Sequence, residues 1–151
     1  MSGIYNYNTN RFIAVYKKMS YNLELRRNKI QIIGNSATGK SMLIDLVQIY
    51  KQMDLANNTS YAKNVYVVSE YRELKYAVDN LKKCLIIIDN AELLFDSSKD
   101  SIDLARWDEK NQYIIISRVA YGLGISPNNY ATLFNDNGVL KLSYLYNQKG
   151  W

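Results

Sequence analysis

Apolar positions recur along this chain with two periods. Phe12 to Lys17 and Tyr21 to Arg26 alternate, the second as Tyr21, Leu23 and Leu25 against Asn22, Glu24 and Arg26, which predicts two strands. Arg26-Arg27-Asn28 reads as a turn, and Lys29 to Ile33 as an apolar, β-branched strand that ends at Gly34. From Lys40 to about Lys51 the period lengthens, with Met42, Leu43, Leu46, Val47 and Tyr50 on one helical face. Leu55 to Lys63 is a polar loop, Val65 to Val68 a short buried strand, and Tyr71, Leu74, Ala77, Val78 and Leu81 mark a second amphipathic helix. Cys84 to Ile88 is another buried strand, Asp100 a cap for a short helix carrying Ile102, Leu104 and Ala105, and Tyr113 to Ile116 a fourth core strand. Strand and helix alternate, the pattern of a parallel sheet covered on both faces. Arg118 to Asn129, with Gly122, Gly124 and Pro127, reads as a loop. Tyr130 to Phe134 and Val139 to Tyr146 then flank Asn135-Asp136-Asn137-Gly138, a hairpin turn because Asn and Gly tolerate positive φ.

At 151 residues, without repeats or a Gly/Ser linker, the chain is read as one domain. Histidine is absent and Cys84 is the single cysteine, which removes imidazole bases, thiolate zinc clusters and intramolecular disulfides. Chemistry must use carboxylates, Lys, Arg, hydroxyls, backbone amides or a bound cation. The first residues carry no apolar h-region, and Leu85 to Ile88 is far below spanning length, so a soluble cytoplasmic protein with no membrane partner is expected. The 14 Tyr and single Pro are also what an AT-rich genome would write.

Charge tells more once it is located. The net charge of +5 sits on residues 1–29, where Arg11, Lys17, Lys18, Arg26, Arg27 and Lys29 face Glu24 alone. With Tyr5, Tyr7, Phe12, Tyr16 and Tyr21 interleaved, this segment reads either as a surface that grips nucleic acid or protein, or as a strand pair with solvated charges and inward aromatics.

Gly34-Asn35-Ser36-Ala37-Thr38-Gly39-Lys40-Ser41 fits G-x-x-x-x-G-K-[ST] without a mismatch, between a predicted strand and a predicted helix. In such a loop the glycines let backbone N–H groups turn toward phosphate oxygens, the lysine reaches the β- and γ-phosphates, and the Ser41 hydroxyl ligates Mg²⁺. Leu85-Ile86-Ile87-Ile88-Asp89 adds an acid at the end of a buried strand, where it can hold Mg²⁺ through a water molecule.

Together these motifs resemble the Walker A and Walker B motifs of P-loop NTPases, over roughly Lys29 to Ser117. The resemblance implies an α/β fold: a three-layer core with a mostly parallel central sheet, plus antiparallel N-terminal strands and a C-terminal β-hairpin. Residues 1–28 would be the basic strands, 29–117 the nucleotide-binding core and 118–151 a loop and hairpin. Tyr113 to Ile116 looks like the extra strand, between the two motif strands, of the branch that includes AAA+, ABC and RecA-like ATPases. The hairpin Tyr21 to Ile33 looks like the strand pair that opens some ABC-type domains. Ser117 falls where AAA+ proteins place a γ-phosphate sensor, or is an ordinary strand-end serine.

The departures bear on catalysis. Asn90 stands where AAA+ and ABC proteins usually carry a catalytic Glu, and an amide cannot take a proton from water. Glu92 is the nearest substitute, or a solvated residue opening a helix with Leu93, Leu94 and Phe95. Arg118 is read as a contact to phosphate or to a neighbouring subunit's nucleotide, or as the partner of an acid such as Asp108. No helical lid or signature loop comes after it. The resemblance therefore implies binding of Mg-ATP or Mg-GTP with slow or partner-dependent hydrolysis, and an oligomer or partner to complete the site. The alternative is a non-enzymatic interaction or inhibitor module of a phage or mobile element, docking through its basic strands; a nucleotide kinase is the weaker third.

Overall fold

The computed structural model describes residues 3–34, 39–97, 99–118 and 123–146. Among them nine strands form one sheet: β1 (Tyr5–Asn6), β2 (Arg11–Tyr16), β3 (Met19–Glu24), β4 (Lys29–Ile32), β5 (Val65–Val68), β6 (Leu85–Ile88), β7 (Gln112–Ile116), β8 (Tyr130–Asp136) and β9 (Val139–Tyr144). Four helices accompany them: α1 (Lys40–Asn57), α2 (Tyr71–Asn80), α3 (Ala91–Ser97) and α4 (Lys99–Trp107).

The strand order is β1-β2-β3-β9-β8-β4-β7-β6-β5. On one side β4, β7, β6 and β5 run parallel, with β7 between the two strands that end in the motifs. Of these, β6 and β7 are buried at every position because both faces are covered. On the other side β1, β2 and β3 are antiparallel, and the β8–β9 hairpin enters between β3 and β4, with β8 parallel to β4 and β9 parallel to β3. Asn137 and Gly138, both at positive φ, form its two-residue turn.

This overturns the three-layer, mostly parallel architecture expected from the sequence. The sheet is mixed and nearly closed into a barrel. Its first strands come round to the far edge, where the Ile4 N–H donates to the Tyr61 carbonyl at 2.8 Å and the Asn64 amide to the Tyr5 carbonyl at 3.0 Å. The N-terminal strands and the hairpin are therefore parts of the central sheet, not additions to it. Nor do β3 and β4 form the hairpin expected for Tyr21 to Ile33. Tyr144 of β9 holds the connection between them, donating its hydroxyl to the Glu24 carbonyl at 2.6 Å and accepting from the Arg26 N–H at 2.9 Å.

One apolar cluster lies inside the curl. Phe12, Tyr21 and Leu23 from the antiparallel strands meet Ile30, Ile32, Leu85 and Ile114 from the parallel ones around Leu43, Leu46, Val47 and Tyr50 of α1. A second lies outside, where Ile86, Ile88, Tyr113 and Ile115 pack against Leu74 and Ala77 of α2, Leu94 of α3 and Ala105 of α4. Helix α1 runs about two turns beyond its expected end, to an αL cap at Asn58. Asp54 in its last turn collects Thr59, Tyr61 and Ala62 and steers the chain into β5. No helix of the described residues is long and apolar enough to cross a membrane.

Candidate functional site

Neighbouring parallel strands all end at the same rim of a sheet, so the residues just past their C-terminal ends gather there. Gly34 lies just past β4, Asp89 past β6 and Ser117 past β7, and all three line one cavity of about 480 Å³ with Lys40, Ser41, Asn90, Glu92, Ile116 and Arg118. Every described position of the predicted site except Gly39 is thus at a single opening. Asn35, Ser36, Ala37 and Thr38, the interior of the glycine-rich loop, lie outside the described residues.

Gly34 has φ 123° and Gly39 φ 95°, conformations that suit glycine at both ends of this loop. Gly39 has a further reason: an added Cβ would stand 2.9 Å from Leu140 Cδ1. Its carbonyl accepts the buried Tyr21 hydroxyl at 2.8 Å, so the antiparallel strands fix the start of α1.

Lys40 is only 6% exposed. Its ammonium donates to the carbonyls of Gly34 and, at 3.1 Å, Ser117, and so spans the ends of β4 and β7. Burial pushes it below the usual lysine range; Glu92 opposes this and Arg118 adds to it. The Glu92 carboxylate accepts the Arg118 backbone N–H at 3.3 Å. It is therefore engaged in holding the chain after β7, while still lining the cavity. Ser117 is buried. Arg118 is exposed and does not pair with Asp108, which is buried beneath Tyr113, Asn111 and Lys110 instead.

Among the described residues no donor meets the Asp89 carboxylate, although Asp89 is half-buried; its backbone N–H donates to the Val68 carbonyl at 2.9 Å. No three His, Cys, Asp or Glu side chains come together as a metal site among those residues. The donor set still fits Mg²⁺, which binds through one or two protein oxygens and completes its shell with water and substrate phosphates. The Ser41 hydroxyl and the Asp89 carboxylate are two such oxygens on one cavity.

Sequence reasoning did not find the Tyr21 bond to Gly39 or the Lys40 bond to Ser117. Neither has a local signal, because each joins elements that only the sheet order brings together. Of the aromatics in the basic N-terminal segment, Tyr5, Phe12 and Tyr21 are buried and Tyr7 and Tyr16 partly so, and Lys29 donates to the Asp108 carbonyl at 2.5 Å. No protein-family model, curated protein or solved structure matches this chain.

Proposed function

We propose that this chain binds a magnesium nucleoside triphosphate, ATP or GTP, and hydrolyses it slowly or only with a partner. One observation carries the reading: Lys40, Ser41, Asp89, Glu92, Ser117 and Arg118, from separate parts of the sequence, line a single cavity at the ends of parallel strands. Lys40 and Arg118 are the cations for the phosphates. Ser41 and Asp89 are the oxygens that would hold Mg²⁺, which when bound neutralises charge on the phosphates. Binding requires Lys40 to exchange the carbonyls of Gly34 and Ser117 for phosphate oxygens. Turnover is slow because Asn90 cannot accept a proton and Glu92 is engaged with Arg118. The docking alternative keeps only Tyr7 and Tyr16 as partly exposed aromatics, since Tyr5, Phe12 and Tyr21 belong to the core.

Calorimetric titration with Mg-ATP and Mg-GTP tests this against Lys40→Met, which keeps the buried stem and removes the ammonium. The variant is expected to lose affinity by roughly ten- to a hundredfold, the scale of a hydrogen bond to a charged group. Equal affinity overturns the reading. Phosphate oxygens would raise the Lys40 pKa, which burial holds below its ordinary 10.5 in the free protein, so binding takes up a proton between the two values. Affinity is then full below the free-state pKa and falls as pH rises through it; Lys40→Met removes this alkaline limb.

A further inference from the structure

A second cavity, of about 420 Å³, opens on the β8, β9 and β3 side of β4, away from the β6 and β7 side that forms the first. Four consecutive residues at the start of α1 divide between the two. Lys40 and Ser41 line the first, and Gly39 and Met42 line the second. The linings differ in kind. The first presents cations, carboxylates and hydroxyls. The second is walled mainly by Met19, Met42, Phe134 and Leu140, with Lys18, Ser20 and Asn135 as its polar side chains and no carboxylate among the described lining residues.

A nucleoside triphosphate has the same division, a charged tail joined through a sugar to a flat heterocycle with little charge. Resting on the nucleotide reading of the first cavity, we propose that the second takes the purine base of the same ligand. Thioether and aromatic side chains suit the face of a heterocycle, since sulfur is polarizable and an aromatic ring stacks with any base. Phe134 is 43% exposed on the hairpin, so its ring retains surface to give to a ligand. Asn135 supplies an edge contact: its side-chain oxygen accepts the Gly138 N–H at 2.7 Å, and among the described residues its Nδ2 has no acceptor, leaving a donor for a ring nitrogen. The volume lies within the roughly 300–1,000 Å³ usual for small-ligand sites. The β8–β9 hairpin, which the sequence presents as a C-terminal addition, thereby gains a binding role through its insertion beside β4.

The experiment titrates the full chain with Mg-ATP, Mg-GTP and Mg-tripolyphosphate, which has the phosphates but no base, as wild type, Phe134→Ala and Met42→Ala. Both side chains are exposed enough for the variants to fold, and thermal unfolding checks that they do. Wild type is expected to bind at least one nucleotide more tightly than tripolyphosphate. Each variant should lose roughly tenfold in nucleotide affinity, the scale of one stacking contact, while binding tripolyphosphate as before. Tripolyphosphate binding as tight as both nucleotides, variants that keep full nucleotide affinity, or equal losses for all three ligands overturn the base site and leave the phosphate reading standing. Failure of wild type to bind any of the three overturns both.

Discussion

Every residue of β6 and β7 is buried, whereas β2 and β3 bury only alternate positions, Phe12 and Ala14 on one and Tyr21 and Leu23 on the other. The difference comes from the cover on each half of the sheet. The parallel strands have α1 on their inner face and α2, α3 and α4 on their outer one. The antiparallel strands have an inner core only, and Ile13 and Val15 on the outside of β2 remain about half exposed. The candidate phosphate site lies in the doubly covered half, where short strands end together and set Gly34, Asp89 and Ser117 around one opening. Among the described residues, the antiparallel half contributes none to that opening. It closes the curl and, through Tyr21, holds the carbonyl of Gly39.

If the parallel half is the rigid one, cutting its buried polar support should cost most. Asp108, just before β7, is 3% exposed and accepts Tyr113 Oη at 2.6 Å, Asn111 Nδ2 at 2.8 Å and the Lys110 N–H at 2.9 Å. Asp108→Ala leaves those donors without their acceptor and is expected to destabilise by about 3–5 kcal/mol, measured by urea unfolding. Burial alone would raise its pKa; the hydrogen bonds from Asn111, Tyr113 and Lys110 outweigh burial and hold it below the ordinary 3.8. A lowered native pKa means stability present above the unfolded value and lost as pH falls through the native one, so the wild type should show an acid limb below about pH 4 that the variant lacks. A loss under about 1 kcal/mol would break the comparison.

The contact between the halves comes next. Gly39→Ala forces an alanine to φ 95° with its Cβ against Leu140, and is expected to cost about 1–3 kcal/mol by thermal or urea unfolding. Tyr21→Phe, which removes one hydroxyl from the Gly39 carbonyl, should cost about 0.5–1.5 kcal/mol. Both should also weaken Mg-ATP binding, because both act on the start of α1. Unchanged binding in both would mean that the antiparallel half is only a wall.

Much of this was legible locally. Val65–Val68 and α2 stand where periodicity put them, and Tyr113 to Ile116 does lie between β4 and β6. The motif residues reached one cavity because strand-end position is itself a local property. The partner of each strand could not be read in the same way. Alternation in Tyr21 to Arg26 says which side is buried and nothing about whether β4 or β9 lies alongside. The hairpin's entry between β3 and β4, and with it the nearly closed sheet, depends on contacts such as Tyr144 with Glu24 and Arg26, more than a hundred residues apart. The far end of α1 was missed for another reason: Leu55, 88% exposed, is off the apolar stripe, while Asp54 and the Asn58 cap set the boundary.

The smallest expected effect on folding belongs to Asp89, and it separates structural from chemical residues within the parallel half. An Asp ending a strand as apolar as β6 serves the fold when it caps, pairs or accepts backbone bonds. Among the described residues its carboxylate does none of these, and only its N–H, which an Asn keeps, bonds to Val68. Asp89→Asn should therefore change stability by no more than about 0.5 kcal/mol. Its effect on ligand should be large by contrast, since a neutral amide oxygen competes poorly with water for Mg²⁺. Titrating ATP with and without Mg²⁺ isolates this: the gain in affinity on adding Mg²⁺ should shrink by about tenfold in Asp89→Asn, the scale of one charge-assisted contact, while Mg²⁺-free binding stays as in wild type. A variant that unfolds would return Asp89 to the structural residues beside Asp108. One that folds and keeps the full Mg²⁺ gain would leave Ser41 as the only protein oxygen for the ion and remove the acid from the site.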